Sequence, residues 1–130
     1  MRKFVFINLL VALSVLLAAC GSAATPADTS SSGQVNIKLE TNPAPAIKGD
    51  IELIFTMTDA SGASIEGAKV DVSAEHPAMA GMGMSGQATE QGGGKYSIRA
   101  NFSDSGDWVL TIYVRKGELD YKEDIELPIQ

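Results

Sequence analysis

Hydrophobic and polar positions divide the chain into three stretches of different period. Residues 4–19 carry only two polar side chains, Asn8 and Ser14, so the first stretch is continuously apolar. Residues 21–33 are small and polar, with too few apolar positions to fold, and read as a flexible tether. From residue 34 the pattern alternates with period two. Val35, Ile37 and Leu39 predict a first strand, ended by Asn42-Pro43-Ala44-Pro45. Ile51, Leu53, Phe55 and Met57 share one face of a second, closed by the turn signal Asp59-Ala60-Ser61-Gly62. Val70, Val72 and Ala74 alternate with Lys69, Asp71 and Ser73 in a third. A short strand is expected over residues 86–91, before Gly92-Gly93-Gly94. Tyr96, Ile98, Ala100 and Phe102 follow, then Trp108, Leu110, Ile112 and Val114. Leu119, Tyr121, Ile125 and Leu127 come last, across a Lys116-Gly117-Glu118 hairpin turn. About seven short strands without helical periodicity predict an all-β, immunoglobulin-like β-sandwich. In it Asp104-Ser105-Gly106-Asp107-Trp108 forms the corner before the penultimate strand, with Trp108 entering the core.

The apolar stretch follows Arg2 and Lys3 and runs for about 16 residues, short of the roughly 20 that a spanning helix needs. It reads as a secretory signal. Its end, Leu17-Ala18-Ala19-Cys20, resembles the lipobox of bacterial lipoproteins. That resemblance implies cleavage before Cys20 and a lipid on its thiol. The expected organisation is a signal peptide over 1–19, a lipidated cysteine and linker over 20–33, and one domain over 34–130. Localisation is then extracytoplasmic, on a membrane of the cell envelope. Gly21 after the cysteine, in place of aspartate, favours the outer membrane where a cell has two.

Charge and cysteine usage narrow the chemistry. The chain has 10 basic and 16 acidic residues; losing Arg2 and Lys3 with the leader leaves 8 against 16, a formal charge of −8. Such a surface argues against nucleic acid and against adhesion to anionic headgroups. Cys20 is the only cysteine, so the mature domain has no free thiol and no disulfide. Soft-metal chemistry in that compartment must draw on methionine and histidine.

Those donors are clustered. His76-Pro77-Ala78-Met79-Ala80-Gly81-Met82-Gly83-Met84 holds the only histidine and three of the five methionines. Continuing the count from Val70, Val72 and Ala74 puts His76 on the inward face, and Pro77 biases its backbone toward an extended form. In a loop loosened by glycine, Met79, Met82 and Met84 can turn three thioethers toward one imidazole. Neutral, soft donors suit Cu(I) better than zinc, calcium or magnesium, and a single histidine suits Cu(I) better than Cu(II). Glu75 could supply an oxygen, but the alternation points it away. Met57 is a candidate fourth sulfur, although core filler is the preferred reading. The competing reading is an apolar plug at one end of the sandwich, since methionine fills irregular gaps well.

The lipobox, the single small β domain, the His76-Pro77-x-Met79-x-x-Met82-x-Met84 run and the later Tyr96, Phe102 and Gly106-x-Trp108 pattern resemble the YtkA-like domains. These are related to the FixH proteins found with copper-transport and cytochrome oxidase assembly systems. The resemblance implies an extracytoplasmic immunoglobulin-like fold, a role in copper handling, and His76, Met79, Met82 and Met84 as the metal-binding residues. The membrane-spanning anchor of FixH proteins is replaced here by a lipid.

Other chemistries find little support. With one histidine and no mature thiol, a nucleophilic triad would need His76 as base, and no nucleophile elbow is present. No three-ligand zinc cluster is visible. Asp104, Gly106 and Asp107 do not have the spacing of a calcium loop. No enzymatic activity is expected. Two functions remain: a lipid-anchored accessory protein that holds Cu(I) for delivery or tolerance and meets a copper-recipient or copper-transport protein, and a metal-free interaction module whose methionines dock on a partner.

Overall fold

The structure, a computed structural model, describes residues 33–130. The segments expected to be a signal peptide and a linker, with Cys20, lie outside the described residues except for Gly33. Eight strands follow in order: β1 (Val35–Asn42), β2 (Gly49–Asp59), β3 (Lys69–Glu75), β4 (Gly83–Gln87), β5 (Thr89–Gly92), β6 (Lys95–Phe102), β7 (Gly106–Lys116) and β8 (Leu119–Ile129). They form two four-stranded antiparallel sheets, β1-β2-β6-β5 and β4-β3-β7-β8. This is the ABED and CFG arrangement of an immunoglobulin sandwich, with one further strand beside the third. Among the described residues no helix is long and apolar enough to cross a membrane.

The alternation read from the sequence is the alternation of burial. Ile51, Leu53, Phe55 and Met57 on β2 face Val70, Val72 and Ala74 on β3 and Leu110, Ile112 and Val114 on β7, all buried. Phe55, Tyr96, Phe102 and Trp108 are the largest buried side chains. Burying such a residue contributes roughly 1.5–3 kcal/mol, and with no disulfide this packing is what holds the two sheets together. Among the described residues, every strand and the core cluster lie within residues 35–129.

The strand count is eight rather than about seven, because the segment expected over 86–91 is two strands. β4 begins earlier, at Gly83, and pairs with β3, whereas β5 pairs with β6 in the other sheet. The chain changes sheets at Ala88, which is 6 % exposed and whose N–H donates to the Val70 carbonyl at 2.9 Å. A buried small residue lets the backbone pass between layers at this point. The acidic C-terminal hairpin is the edge strand β8. On it Glu123 sits among the inward-facing positions and accepts a hydrogen bond from the Tyr121 hydroxyl at 3.1 Å. A carboxylate on the inner face of an edge discourages pairing with another chain.

Register defines the two ends of the sandwich. One end gathers Gly49 opposite Phe102, Glu75 opposite Val109 and Trp108 opposite Leu127. The other gathers Val35 opposite Asp59 and Lys69 opposite Arg115. The β3–β4 loop, with its histidine and methionines, closes the first end.

Candidate functional site

Val70, Val72 and Ala74 lead inward along β3, and the next position on that face is His76, which is 9 % exposed. Its ring meets Trp108 edge-on, with centroids 5.2 Å apart and planes at 77°. Trp108 meets Phe102 in the same way, at 5.1 Å and 88°. The ends of β3 and β6 and the start of β7 thus meet through three rings in edge-to-face contact, which hold the imidazole against the core.

The corner before β7 contacts two of these rings. The Asp104 carbonyl accepts from the Trp108 indole N–H at 3.0 Å. The Ser105 carbonyl lies 3.3 Å from His76 Nε2. A carbonyl can only accept, so a hydrogen bond here needs the hydrogen on Nε2, and in the neutral ring Nδ1 then keeps its lone pair. Nδ1 is buried and has no hydrogen-bond partner. Gly106, at φ +124°, allows this approach: a Cβ there would stand 2.7 Å from Nε2. Ser105 and Gly106 were not singled out as site residues from the sequence, which marked only the corner. The available signal was a glycine two positions before a core tryptophan.

The loop itself is a tight return between β3 and β4. His76 N–H donates to the Met82 carbonyl at 3.2 Å, Met79 N–H to the His76 carbonyl at 3.0 Å, and Met82 N–H to the Met79 carbonyl at 3.2 Å. These bonds fold residues 76–82 around an open concavity of about 420 Å³ lined by His76, Pro77, Met79, Met82 and the exposed Glu75 among others. Met79 is half-buried, whereas Met82 is 36 % exposed.

The candidate residues therefore divide. His76, Met79 and Met82 share the loop concavity. Met84 lies on β4 opposite Ala74 and lines a separate cleft of about 200 Å³ between the sheets, with Leu53, Ile98 and Ala100. It is one diagonal step from His76 across the β3–β4 ladder, where long side chains can still touch. Met57 is fully buried and pairs with Ile37. It lies eight residues along β2 from Gly49, about 26 Å at the rise of a strand, and so packs at the opposite end.

The donor chemistry at the loop can be tested against metal classes. Among the described residues no group of three or more histidine, cysteine, aspartate or glutamate side chains could hold a metal ion. A hard-cation or zinc cage of those ligands is therefore not formed. One imidazole with an unpartnered nitrogen and two thioethers, from residues that line one concavity, are soft donors of the kind that suits monovalent copper.

An eight-stranded immunoglobulin-like sandwich, carrying a histidine–methionine loop at one end, is the class that fold and site define. The YtkA-like family matches residues 29–113, a segment that includes His76, Met79, Met82, Met84, Gly106 and Trp108. The chain belongs to the YtkA-like family. No curated protein matches it. Among solved structures it is similar to one of FdeC, an Escherichia coli adhesin, at 28% identity and a TM-score of 0.49. That match covers 79% of this chain but only 33% of the other, so the chain spans about a third of that structure's length.

Proposed function

We propose that the protein is a lipid-anchored, extracytoplasmic copper-binding accessory protein. Cys20 carries the anchor, and the β3–β4 loop holds Cu(I) as cargo for delivery or tolerance. One observation carries the reading: His76, whose buried Nδ1 has no partner, lines the same loop concavity as Met79 and Met82. An unsatisfied buried polar atom costs about 1–3 kcal/mol, and a bound soft cation is one way to offset that cost. The kinship of YtkA-like domains with FixH proteins supports the same direction. Met84 is the third sulfur, within reach of the site from β4. No catalytic step is assigned, and the partner is a recipient of copper.

The test is an anaerobic Cu(I) titration of the purified protein against a chromophoric competitor. His76→Ala and the triple replacement of Met79, Met82 and Met84 by leucine run beside it. One equivalent bound by the parent and lost in both variants is the expected result. No binding by the folded parent sinks the reading.

A second reading rests on a specific observation. Met82 is one of only three large hydrophobic side chains that are exposed among the described residues, with Ile47 and Tyr113. A metal-free module would use it as an adaptable contact for a partner protein. Leucine in place of the methionines keeps apolar area and removes sulfur, so unchanged function in the triple variant favours this second reading.

A further inference from the structure

We infer that the Ser105–Gly106 corner locks His76 as the Nε2–H tautomer and thereby makes Nδ1 the nitrogen that takes the metal. The inference rests on the copper reading and adds to it an atom, a tautomer and a positioning element outside the loop. Three observations meet here. The Ser105 carbonyl, 3.3 Å from Nε2, demands a hydrogen on that nitrogen. Gly106 leaves no side chain to separate them, since a Cβ would lie 2.7 Å from Nε2. Nδ1 is buried without any partner, although buried ring nitrogens are ordinarily paired.

This is the arrangement by which proteins prepare a histidine ligand. The far nitrogen donates to a backbone carbonyl, which sets the ring's orientation and leaves the near nitrogen's lone pair free for the metal. Trp108 adds the second constraint, because its edge-on contact stops the ring from turning about its axis at no cost. The residues that deliver the nitrogen therefore lie 29 and 30 positions away in the chain, on the corner before β7. The Met79 and Met82 thioethers come from the loop itself.

The chain has one histidine, so its imidazole can be observed without assignment. The experiment is long-range proton–nitrogen correlation spectroscopy on the full chain, purified in detergent, with ¹⁵N-histidine and ¹³C-methyl methionine, before and after one equivalent of Cu(I). The expected metal-free spectrum is that of the Nε2–H tautomer. Cu(I) then moves the Nδ1 resonance and leaves the Nε2 proton in place. An Nδ1–H tautomer before metal, or a Cu(I) shift centred on Nε2, overturns the inference. Shifts confined to the methionine methyls also overturn it, because they describe a sulfur site without His76. No shift at any nucleus sinks the copper reading itself and the inference with it. Gly106→Ala, where it folds, weakens Cu(I) binding about 10–100-fold, the range for loss of an orienting partner. Full affinity in a folded Gly106→Ala variant removes the corner from the site. Should that variant not fold, the parent spectra decide.

Discussion

Replacing Gly106 by alanine tests whether the corner holds the imidazole, and it can be read without any metal. Two costs are expected. Alanine at φ +124° adopts a backbone form that is nearly confined to glycine, at about 1–3 kcal/mol. Its Cβ also stands 2.7 Å from His76 Nε2, so the ring must leave. Leaving breaks the bond to the Ser105 carbonyl, about 0.5–1.5 kcal/mol. Part of the contact with Trp108 goes as well, about 0.5–1.5 kcal/mol. Gly49 provides the matched control: its φ is +115°, and nothing lies within 4 Å of a Cβ built there. Gly49→Ala therefore carries the backbone cost alone. The excess for Gly106→Ala over Gly49→Ala is expected at about 2 kcal/mol, or roughly 8–16 °C in melting temperature for a domain of this size. Urea denaturation followed by far-ultraviolet circular dichroism measures both variants, avoiding a tryptophan signal that the substitution itself perturbs. In a His76→Ala background the excess should vanish, because no ring remains to be displaced. Equal costs for the two glycines, or an excess that survives His76→Ala, would refute the reasoning. The imidazole would then be free to swing into the loop concavity, and the corner would not position it.

Tyr96 predicts an alkaline limb of stability. Burial pushes its hydroxyl above the ordinary 10.0, and the neighbouring Glu90 and Glu66 carboxylates add to this against the Ala68 N–H bond. Its contribution is therefore complete below pH 10 and is lost as pH rises through the raised folded value. Tyr96→Phe should flatten that limb in pH-dependent melting. It should also cost about 1–3 kcal/mol at neutral pH, since the Ile65 carbonyl and Ala68 N–H both lose the hydroxyl. Asp59 predicts the acid limb. The Ser61 hydroxyl, with the Ala63 and Ser61 N–H groups, holds its carboxyl below the ordinary 3.8, so that stability is present above this value and fades as pH falls through the lowered one. Asp59→Ala should flatten the melting profile there, and an unchanged profile counts against the turn as its source. For copper, Met79→Leu and Met82→Leu should each weaken Cu(I) binding at least about tenfold, and Met84→Leu less, as read by competitor titration. The reverse order would move the site from the loop into the inter-sheet cleft.

Alternation made most of the sandwich legible. On β2, β3 and β7 every position read as inward is buried, because each strand is long and one face lies wholly on the core. The β4–β5 segment was not legible as two strands. Its glycine, serine and glutamine residues carry no apolar rhythm, and its pairing is imposed by β3 and β6. The inward exit of His76 followed from counting along β3, since a period-two rule needs only local information. What the count could not separate was the three methionines, which look equivalent in sequence. The ladder distinguishes them by pairing Met84 with Ala74 and leaving Met79 and Met82 in the return. Nor could spacing reveal Ser105 and Gly106 as partners of His76, because that contact joins β7's corner to β3's end across 29 residues. Local rhythm reports faces, whereas a second contact sphere depends on which strands become neighbours.

Under the copper reading, the fold holds the two kinds of donor with different firmness, and that difference bears on how cargo would leave. The imidazole is wedged between Trp108 and the corner before β7, so moving it disturbs the core. The thioethers sit on a seven-residue return held by three backbone bonds, with Met82 already 36 % exposed. Neutral sulfur donors bind weakly and carry no charge to be neutralised when they let go. A recipient would therefore meet Met82 first and displace sulfur while the nitrogen kept its place, so that the metal passes from one site to the next without being released to water. A storage site calls for the opposite arrangement, with every ligand buried and rigid. The asymmetry between a core-held nitrogen and surface-held sulfurs favours handover over retention, and it follows from one feature of the sequence: the donor run begins on the inward face of β3 and ends on the far side of a glycine-rich turn.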